Sequence, residues 1–403
     1  MTRTSDRSGG HGVTVALFMA LFAGQAAVIA LSPVLADAAS DLHVSTAAAG
    51  QLRTITGLAA GVTAVCLGAV GARIGLGRQL LAASALLALG SLASAAAPTF
   101  LLLALAQLPV GVAVAVLTTA GTLAAAEWVS PERRTRVLSW ALVGQPAAWI
   151  VGMPLIGLVG EASWRLGLAL PLAASVVAGI LVASRAGRPP AESRPAGSRV
   201  ALADRTIARW LVSELLANAA WAGTLVYAGA LFAESYGTST GRTGCLLAVT
   251  AIAYVAGNLA CRRLVRREAR GILVLLALSL SVTDGLFGIV RSDVGTSTAL
   301  LSIAAFAAGG RTLVASAFAL ATPPDVRPAV TGMRAATMQF GYFAGSMAGG
   351  AALSAGGYGA LGATMGLLFL AAAATLLHRP CLVPSEPPVR ALRDRTFGMT
   401  SPG

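Results

Sequence analysis

The chain has 403 residues, of which 56% are hydrophobic and only 11% are charged. An average soluble domain carries roughly 25% charged residues, so this composition excludes a soluble globular protein and indicates a polytopic membrane protein. The net charge is +13 and all 29 basic residues are arginine, which argues against an ATP-driven pump because its phosphate-binding loop needs a lysine.

Twelve apolar stretches are long enough to cross a bilayer core of about 30 Å as helices. Because lipid offers the backbone no hydrogen-bond partners, these stretches must be helical. The first stretch lacks a convincing signal-peptide cleavage site and is therefore predicted to be retained as a span. In chain order the predicted spans are 12–35, 47–70, 79–97, 99–126, 137–160, 166–184, 207–231, 243–261, 271–290, 297–321, 329–353 and 358–378.

The arginines are distributed very unevenly between the two ends of the predicted spans. With twelve spans, both termini and the even-numbered connections share one side, which carries 24 arginines, whereas the other side has only Arg165, Arg242 and Arg291. The positive-inside rule then predicts a multi-pass protein of the plasma (inner) membrane with both termini cytoplasmic. A nucleic-acid partner is disfavoured, because the arginines lie at loop ends and are not interleaved with aromatic residues.

The predicted spans form two sets of six, separated by the least apolar internal stretch, SRAGRPPAESRPAGSRVALADRT at 184–206. Its proline, glycine, serine and arginine content is typical of a linker. The predicted domains are an N-terminal six-helix half over 1–184, a cytoplasmic linker over 185–206, a C-terminal six-helix half over 207–378 and a cytoplasmic tail over 379–403.

Two short patterns recur between the halves. GAVGAR at 68–73 corresponds to GNLACR at 257–262, an offset of 189, and PERRTRV at 131–137 corresponds to PDVRPAV at 324–330, an offset of 193. Two echoes at nearly one offset indicate a duplicated six-helix unit. Secondary transporters are commonly built from such repeats.

The connection after the second span, GAVGARIGLGRQ at 68–79, resembles the G-x-x-x-D-R-x-G-R-R signature of the major facilitator superfamily. Gly68, Arg73 and Gly75 match it and Arg78 follows, but Ala72 replaces its carboxylate. LSPVLADAASDLHVSTAAAGQL at 31–52 and VGMPLIGLVGEASWR at 151–165 resemble the drug-efflux and arabinose-efflux-permease-like branch of its twelve-helix drug:proton antiporters. The resemblance covers essentially the whole chain and implies the major facilitator fold, with two halves related by pseudo-twofold symmetry.

The resemblance also implies roles for particular glycines and arginines. The hairpin with Arg73 and Arg78, echoed by Gly257 and Arg262, would latch the halves on the cytoplasmic side; an ordinary positive-inside turn is the alternative. In the fifth span an antiporter-like motif would help to set transport direction, or would serve packing alone. Its residues are Gly144, Gly152, Pro154 and Gly157, with Met153 where a glycine is usual.

The fourth span departs from the pattern of the family. Relatives often carry an arginine four residues before its glycine, whereas this chain has Gln107 before Gly111. A neutral amide cannot favour the ionised form of a neighbouring carboxylate as a guanidinium does, which weakens the expectation of proton coupling by the usual route. Gln107 still shares a polar helical face with Thr118 and is predicted to line the cavity.

Four charged residues lie within predicted spans, where each costs about 2.5–3.5 kcal/mol unless paired or hydrated. Arg53, six residues into its span, and Asp284, seven residues before Arg291, are each expected to snorkel to the outer headgroups or to pair locally. Glu214 and Arg311 lie deeper, at depths that differ by only about 5 Å, and are predicted to pair. Glu214 is the predicted coupling site, taking up a proton when the pair separates. A static structural pair is the alternative.

Polar residues form stripes on three further helical faces. The resemblance to the major facilitator superfamily implies that these faces surround one central aqueous pocket. The alternative is that the polar residues serve only to hydrogen-bond neighbouring helices. The residues predicted to line this pocket with Glu214 and Arg311 are Asn218, Trp221, Tyr254, Asn258, Gln339 and Tyr342.

The sequence therefore predicts a secondary active transporter that exports a small organic solute, drug-like or a metabolite, with protons as the counter-ion. A passive facilitator or an importer of the same fold is the alternative, followed by a transporter-shaped solute sensor. An enzyme is disfavoured, because His11, His43 and His378 lie outside or at the ends of the spans. No metal, cofactor or oligomeric partner is expected.

Overall fold

The computed structural model describes residues 3–70, 74–184, 204–266, 269–323 and 326–377. Over these ranges the chain is almost entirely helical and contains no strand. We label the spanning helices α1 to α12 in chain order. They are α1 (Arg3–Ile29, continued by Leu31–Asp41), α2 (Thr46–Val70), α3 (Leu76–Ala96), α4 (Phe100–Glu127), α5 (Pro131–Leu142, Gly144–Ala147, a π-helix at Ala148–Gly152, and Met153–Ala162), α6 (Trp164–Gly167 and Ala169–Ala183), α7 (Arg205–Tyr236), α8 (Thr240–Ala260), α9 (Ala269–Ile289), α10 (Val294–Ala321), and α11 and α12, which together occupy Arg327–Leu377.

The lengths and polarity of these helices confirm the predicted fold class, an all-α membrane protein with twelve spans. In the described ranges, ten helices are long and apolar enough to cross a membrane. One of them, Ala329–Leu377, contains two spans, because its backbone leaves the helical conformation at Gly356 and Gly357. The 25-residue α2 is a further span, about 37 Å long at 1.5 Å per residue.

Proline and glycine account for the breaks within the spans. Pro33 has no N–H and its ring clashes with the carbonyl of Ile29, where the first segment of α1 ends. Pro154 follows the π-helix in α5. Because proline has no N–H to donate, the regular α-helical hydrogen-bond pattern is interrupted here, and the π-helix lies at this interruption. Gly357 has a φ of 66°, in the left-handed region that favours glycine, and turns α11 into α12.

The two predicted halves, α1–α6 and α7–α12, meet along α2 with α11, α5 with α8, and the second segment of α1 with α7. A Cβ on Gly57 would lie 2.6 Å from the backbone nitrogen of Phe343, so the approach of α2 to α11 requires glycine. Residues 185–203 of the predicted linker and the predicted tail lie outside the described residues. Asp204 is described, and its carboxylate caps the first turn of α7.

Successive helices run in opposite directions, so their connections fall at two ends of the bundle. We call one the Asp37 end, which carries the turns near residues 42–45, 97–99, 163, 237–239, 290–293 and 356–357. We call the other the Arg78 end, which carries the turns near residues 74–75, 128–130, 184, 204, 261–266 and 322–326. Many large apolar side chains on the outer faces are exposed, Leu101 and Leu275 by 67% each, as lipid-facing helices require.

Candidate functional site

A cluster of one carboxylate and two guanidinium groups is buried in the C-terminal half. Glu214 on α7 is 1% exposed, and its Oε1 lies 2.8 Å from Nη1 of Arg311 on α10. Nε of Arg334 on α11 lies 3.1 Å from Oε2 of the same carboxylate. Arg311 also donates to the carbonyl of Ser213 and Arg334 to that of Thr312, whereas Nε of Arg311 has no hydrogen-bond partner among the described residues. One carboxylate thus ties together three helices, and the three charges sum to +1.

The contact of Glu214 with Arg311 is the one predicted from their depths in the spans, but Arg334 was missed. Arg334 was counted among the arginines of the basic side. It lies seven residues inside α11 and also within the predicted span 329–353, so its position in the span was a signal that could have found it. The second guanidinium changes the electrostatics of the site, because a neutral residue at 214 would leave two buried cations uncompensated.

A second buried carboxylate, Asp284 on α9, has no cationic partner among the residues that the structure describes. It is 1% exposed; its Oδ2 accepts a hydrogen bond of 2.6 Å from the hydroxyl of Thr224 on α7, and its Oδ1 has no hydrogen-bond partner in the described ranges. The expected snorkelling or local pairing of Asp284 is therefore wrong. Arg291 lies beyond the end of α9, and its guanidinium is 6.0 Å from the ring centroid of Tyr358.

Arg53 on α2 is also buried, so the expectation that it reaches the headgroups is wrong. It is 3% exposed, and its guanidinium carbon lies 4.2 Å from the ring centroid of Tyr342 on α11. Arg53 is buried because of its position around the axis of α2. It lies one helical turn from Gly57, on the face of α2 that packs against α11. In the described part of the chain its Nε and Nη2 have no hydrogen-bond partner.

Arg53 and Tyr342 line a small cavity of about 20 Å³ between the two halves. Its walls come from α1, α2, α5, α7 and α11. Besides these two residues they are formed by Val28, Ile29, Leu31, Ser32, Trp149, Met153, Leu225 and Val226.

The predicted polar stripes of α7 and α8 meet near Glu214. Trp221 stacks on Tyr254, with ring centroids 6.4 Å apart, and the Tyr254 hydroxyl donates to Thr312, whose carbonyl also binds Arg334. Asn258 instead donates to the carbonyl of Gly309 on α10, so its amide joins two helices.

Two further predicted amides are buried in the C-terminal half with an unsatisfied atom. Over the described residues, Nδ2 of Asn218 and Oε1 of Gln339 have no hydrogen-bond partner. Asn218 packs closely against Gly341 on α11, where an added Cβ would lie 2.6 Å from the Cβ of Asn218.

The predicted residues of α4 lie apart from this network, inside the N-terminal half. Gln107 accepts a hydrogen bond from Thr56 on α2 and donates to Ser94 on α3. Thr118 is half-buried near Gly24 of α1. The structure therefore does not bring Gln107 to the cluster of Glu214.

The hairpin that resembles the family signature lies at the Arg78 end. Arg73 is outside the described residues, Gly68 lies in the last turn of α2, Gly75 precedes α3 and Arg78 is exposed in its first turn. In the echo, Gly257 packs against the backbone of Phe306 on α10, and Arg262 is exposed in a 3₁₀ helix.

The glycines of the motif in α5 lie at helix contacts. Gly144 packs against the backbone of Phe18 on α1, and a Cβ on Gly157 would lie 2.6 Å from the carbonyl oxygen of Thr240 on α8. Gly152 ends the π-helix, and Pro154 follows it. α5 thus contacts both halves beside an irregular helical segment.

Hydrogen bonds join the two halves near the Asp37 end. Ser32 donates to the carbonyl of Leu225 at 2.6 Å, Gln51 donates to the carbonyl of Ser346 at 3.1 Å, and the Tyr227 hydroxyl donates to the carbonyl of Ala47 at 3.3 Å. A second set lies at the helix ends and involves carboxylates. Thr46 donates to Glu234, Thr240 donates to Asp37 and Ser239 donates to Glu161, each between the halves, while Tyr358 donates to Glu234 within the C-terminal half.

Comparisons with known proteins agree with this architecture. Residues 14–283 match the sequence model of the Major Facilitator Superfamily. A crystal structure of a mutant of the nucleoside transporter NupG superposes with a TM-score of 0.74 at 14% identity, covering 91% of this chain and 99% of that chain. A bacterial homolog to the human lysosomal transporter Spinster, inward-facing and unoccupied, gives 0.72 at 13% identity, covering 91% and 95%. No curated protein matches the chain. At these identities the solved structures establish the fold alone.

Proposed function

This chain belongs to the major facilitator superfamily, and we propose that it is a secondary active transporter that exports a small organic solute in exchange for protons. Transport and a multi-pass membrane location follow from the family and the spans. The direction, the counter-ion and the roles of single residues are the proposal. The observation that carries proton exchange is Asp284, a buried carboxylate without a counter-charge.

The distribution of arginines supports an orientation. The Arg78 end carries the arginine-rich connections and would face the cytoplasm, so the Asp37 end would face outward. The hydrogen bonds between the halves close the Asp37 end, as in an inward-facing or an occluded state. The similarity to an inward-facing bacterial Spinster homolog supports this interpretation.

The construction of α5 supports export. Gly144 and Gly157 let α5 approach α1 and α8 closely, and the π-helix between them provides a place where α5 can bend. Bending at this point would move the contact of the halves at α8 while α1 stays in place. The resemblance of these residues to the antiporter motif of exporters points to the outward direction.

The neighbours of the two buried carboxylates suggest different roles for them. An ionised Asp284 leaves a buried charge uncompensated, which is costly, and a bound proton removes that cost. When the Asp37 end opens, water would reach Asp284, which lies five residues before the end of α9, and the ionised form would no longer be penalised. Glu214 is held by two guanidinium groups, so we assign it to joining α7, α10 and α11. Proton uptake at Glu214, expected from the sequence, is the competing assignment.

Transport in proteoliposomes tests this proposal. A solute is first selected from a panel by growth inhibition with and without expression. The wild type is then expected to concentrate that solute when a pH gradient is imposed, whereas Asp284→Asn is expected to lose gradient-driven accumulation and to retain downhill exchange. Asp41→Asn, which removes a partly exposed carboxylate at the Asp37 end, is the matched control and should retain accumulation.

Two results would contradict the assignment. Wild-type flux that ignores the pH gradient would indicate the passive facilitator. Full accumulation by a well-expressed Asp284→Asn protein, with loss in Glu214→Gln, would return the proton site to Glu214.

A further inference from the structure

A cavity of about 60 Å³ lies inside the C-terminal half, at its Arg78 end. It lies between the first turns of α7 and α9 and the last turns of α10 and α12, so it is separate from the contact between the halves. The 32 residues of α7 span about 48 Å, which exceeds a bilayer core of about 30 Å. The first turns of α7, and the cavity beside them, therefore lie at the level of the lipid headgroups.

The polar lining of this cavity consists of hydrogen-bond donors. Guanidinium and indole N–H groups donate only, and hydroxyls can donate. The carboxylate of Asp204, close by in the chain, accepts from the backbone N–H groups of Thr206 and Ile207, and no carboxylate is among the described lining residues. A ligand with several acceptor atoms and a negative charge matches this set. The polar lining residues are Thr206, Arg209, Trp210, Arg270 and Thr375.

Trp210 on α7 supplies a buried donor without an acceptor. It is 1% exposed, and over the described residues its Nε1 has no hydrogen-bond partner. Its ring packs against Phe318 on α10, with ring centroids 5.0 Å apart, and both residues line the cavity. A buried N–H that makes no hydrogen bond is costly, and an oxygen atom of a bound ligand would remove that cost.

Arg270, the second residue of α9, is held in place by the end of α12. Its Nε donates to the carbonyl of Leu376 at 2.6 Å and its Nη2 to the carbonyl of Leu377 at 3.1 Å. Among the described residues its Nη1 has no hydrogen-bond partner. Arg209 on α7, which is half-buried, brings a second guanidinium to the same cavity. Guanidinium groups bind phosphate oxygens well, because their planar fork matches the geometry of the anion.

The size and position of the cavity indicate the source of the phosphate. At about 60 Å³ it holds one phosphate-sized group and is too small for acyl chains. Leu320 and Leu377, in the last turns of α10 and α12, are exposed on the outer surface, where chains attached to that phosphate would lie. In the proposed orientation this end faces the cytoplasmic leaflet, and basic pockets between helices on that side bind anionic headgroups.

We propose that this cavity binds the phosphate group of an anionic phospholipid, held by Arg209, Arg270 and the indole N–H of Trp210. The lipid phosphate joins the start of α7 to the start of α9, which Arg270 already ties to the end of α12. The inference goes beyond the proposed function and uses only its orientation, not the direction of transport or the counter-ion.

Native mass spectrometry of the purified, delipidated protein in detergent tests the site by counting bound lipids. The probes are dioleoylphosphatidylglycerol, dioleoylphosphatidylcholine and dioleoylglycerol. Dioleoylphosphatidylglycerol is expected to bind most tightly. The choline cation should weaken binding beside two arginines, and dioleoylglycerol lacks the phosphate. Because hydrogen bonds to charged groups are the strong ones, Arg209→Gln should weaken binding of dioleoylphosphatidylglycerol by at least about tenfold.

Three further variants make the result specific. Trp210→Phe keeps an aromatic ring against Phe318 and removes the N–H, so it should weaken binding by about two- to tenfold. Arg209→Lys keeps the charge without the planar fork and should retain part of the affinity. Arg205→Gln is the matched control, because Arg205 is an exposed arginine in the same turn of α7 and does not line the cavity, and it should change nothing.

A competition experiment separates a lipid from a soluble phosphate. Excess inorganic phosphate is expected to leave dioleoylphosphatidylglycerol bound, whereas its complete displacement would assign the cavity to a soluble oxyanion and overturn the lipid site. Equal binding of dioleoylphosphatidylglycerol and dioleoylglycerol, or equal affinities of Arg209→Gln and Arg205→Gln, would also overturn it. None of these measurements involves transport, so failure of the lipid site and failure of proton exchange are separate results.

Discussion

The interiors of the two halves differ in charge although the halves share one architecture. Each residue of the Glu214 cluster has a counterpart 193 positions earlier, the offset at which PDVRPAV repeats PERRTRV. The counterparts of Glu214, Arg311 and Arg334 are Leu21, Thr118 and Ala141. Leu21 and Ala141 are fully buried, and Thr118 is half-buried. The same helical positions are thus filled by an ion cluster in the C-terminal half and by neutral side chains in the N-terminal half.

This difference shows what the fold needs and what it does not. The N-terminal half packs without any ion pair at these positions, so the fold itself does not require charges there. The cost of burying three charged groups in the C-terminal half therefore calls for a functional reason. A bundle held by ion pairs can change its internal contacts with protonation or solute binding, whereas an apolar bundle responds to neither.

The largest expected effect is the loss of the carboxylate in this cluster. Glu214→Gln leaves Arg311 and Arg334 buried without a counter-charge, and breaking a buried pair typically costs about 3–5 kcal/mol. We expect low expression and a clearly lowered thermal unfolding temperature in detergent. Leu21→Met, at the counterpart position, is the matched control and should be nearly neutral, because a volume-conserving apolar exchange costs less than about 1.5 kcal/mol.

A triple variant tests whether the unpaired cations cause that loss of stability. Glu214→Gln combined with Arg311→Gln and Arg334→Gln removes all three charges and copies the neutral state of the N-terminal half. It should recover part of the lost stability. A Glu214→Gln protein that unfolds at the wild-type temperature would show that the cluster does not hold the three helices together.

A smaller effect is expected when only the surplus cation is removed. Arg334→Gln leaves Glu214 paired with Arg311 at 2.8 Å, so the cluster becomes neutral. It should therefore be destabilised less than Glu214→Gln, with the lost contact to Thr312 as the main cost. Differential scanning fluorimetry of both variants in one detergent measures the order. Equal unfolding temperatures for the two variants would mean that net charge does not determine the stability of the cluster.

The fold was predictable from sequence because a bilayer fixes the length and polarity of each span. The same one-dimensional reasoning predicted the partner of Glu214, since depth along a helix follows from residue counts. This reasoning failed for Arg53 and Asp284, because the depth of a residue along a helix does not say which face of the helix it is on. Whether a side chain near a helix end faces lipid or a neighbouring helix depends on packing, here the approach of α2 to α11 at Gly57 and the contact of Asp284 with Thr224 on α7.

Arg334 illustrates a different failure. Arg334 was assigned to the arginines that set the orientation in the membrane, so it was not considered as a buried charge. Its position within the predicted span 329–353 indicated the opposite. The cavity beside Arg53 was beyond sequence reasoning for another reason. Its lining comes from five helices of both halves, and no periodic pattern on one helix identifies such a set.

The smallest expected effect concerns helix caps, where the halves differ in the same way. The side chain of Thr99 caps α4, and 194 positions later Asp293 caps α10, accepting from the backbone N–H of Thr296 at 2.9 Å. The hydroxyl and backbone N–H of Thr296 hold the pKa of the Asp293 carboxyl below its usual value. A lowered pKa in the folded state means that the cap is fully effective above the usual aspartate range and is lost as the pH falls through the folded value. Amide hydrogen exchange at low pH, corrected for intrinsic rates, should therefore show α10 fraying at Thr296 before α4 frays at Leu102.

Asp293→Asn should abolish this pH dependence while keeping the cap, because asparagine accepts the same bond without titrating. Equal pH dependence at both caps would show that the charge of Asp293 contributes nothing to the start of α10.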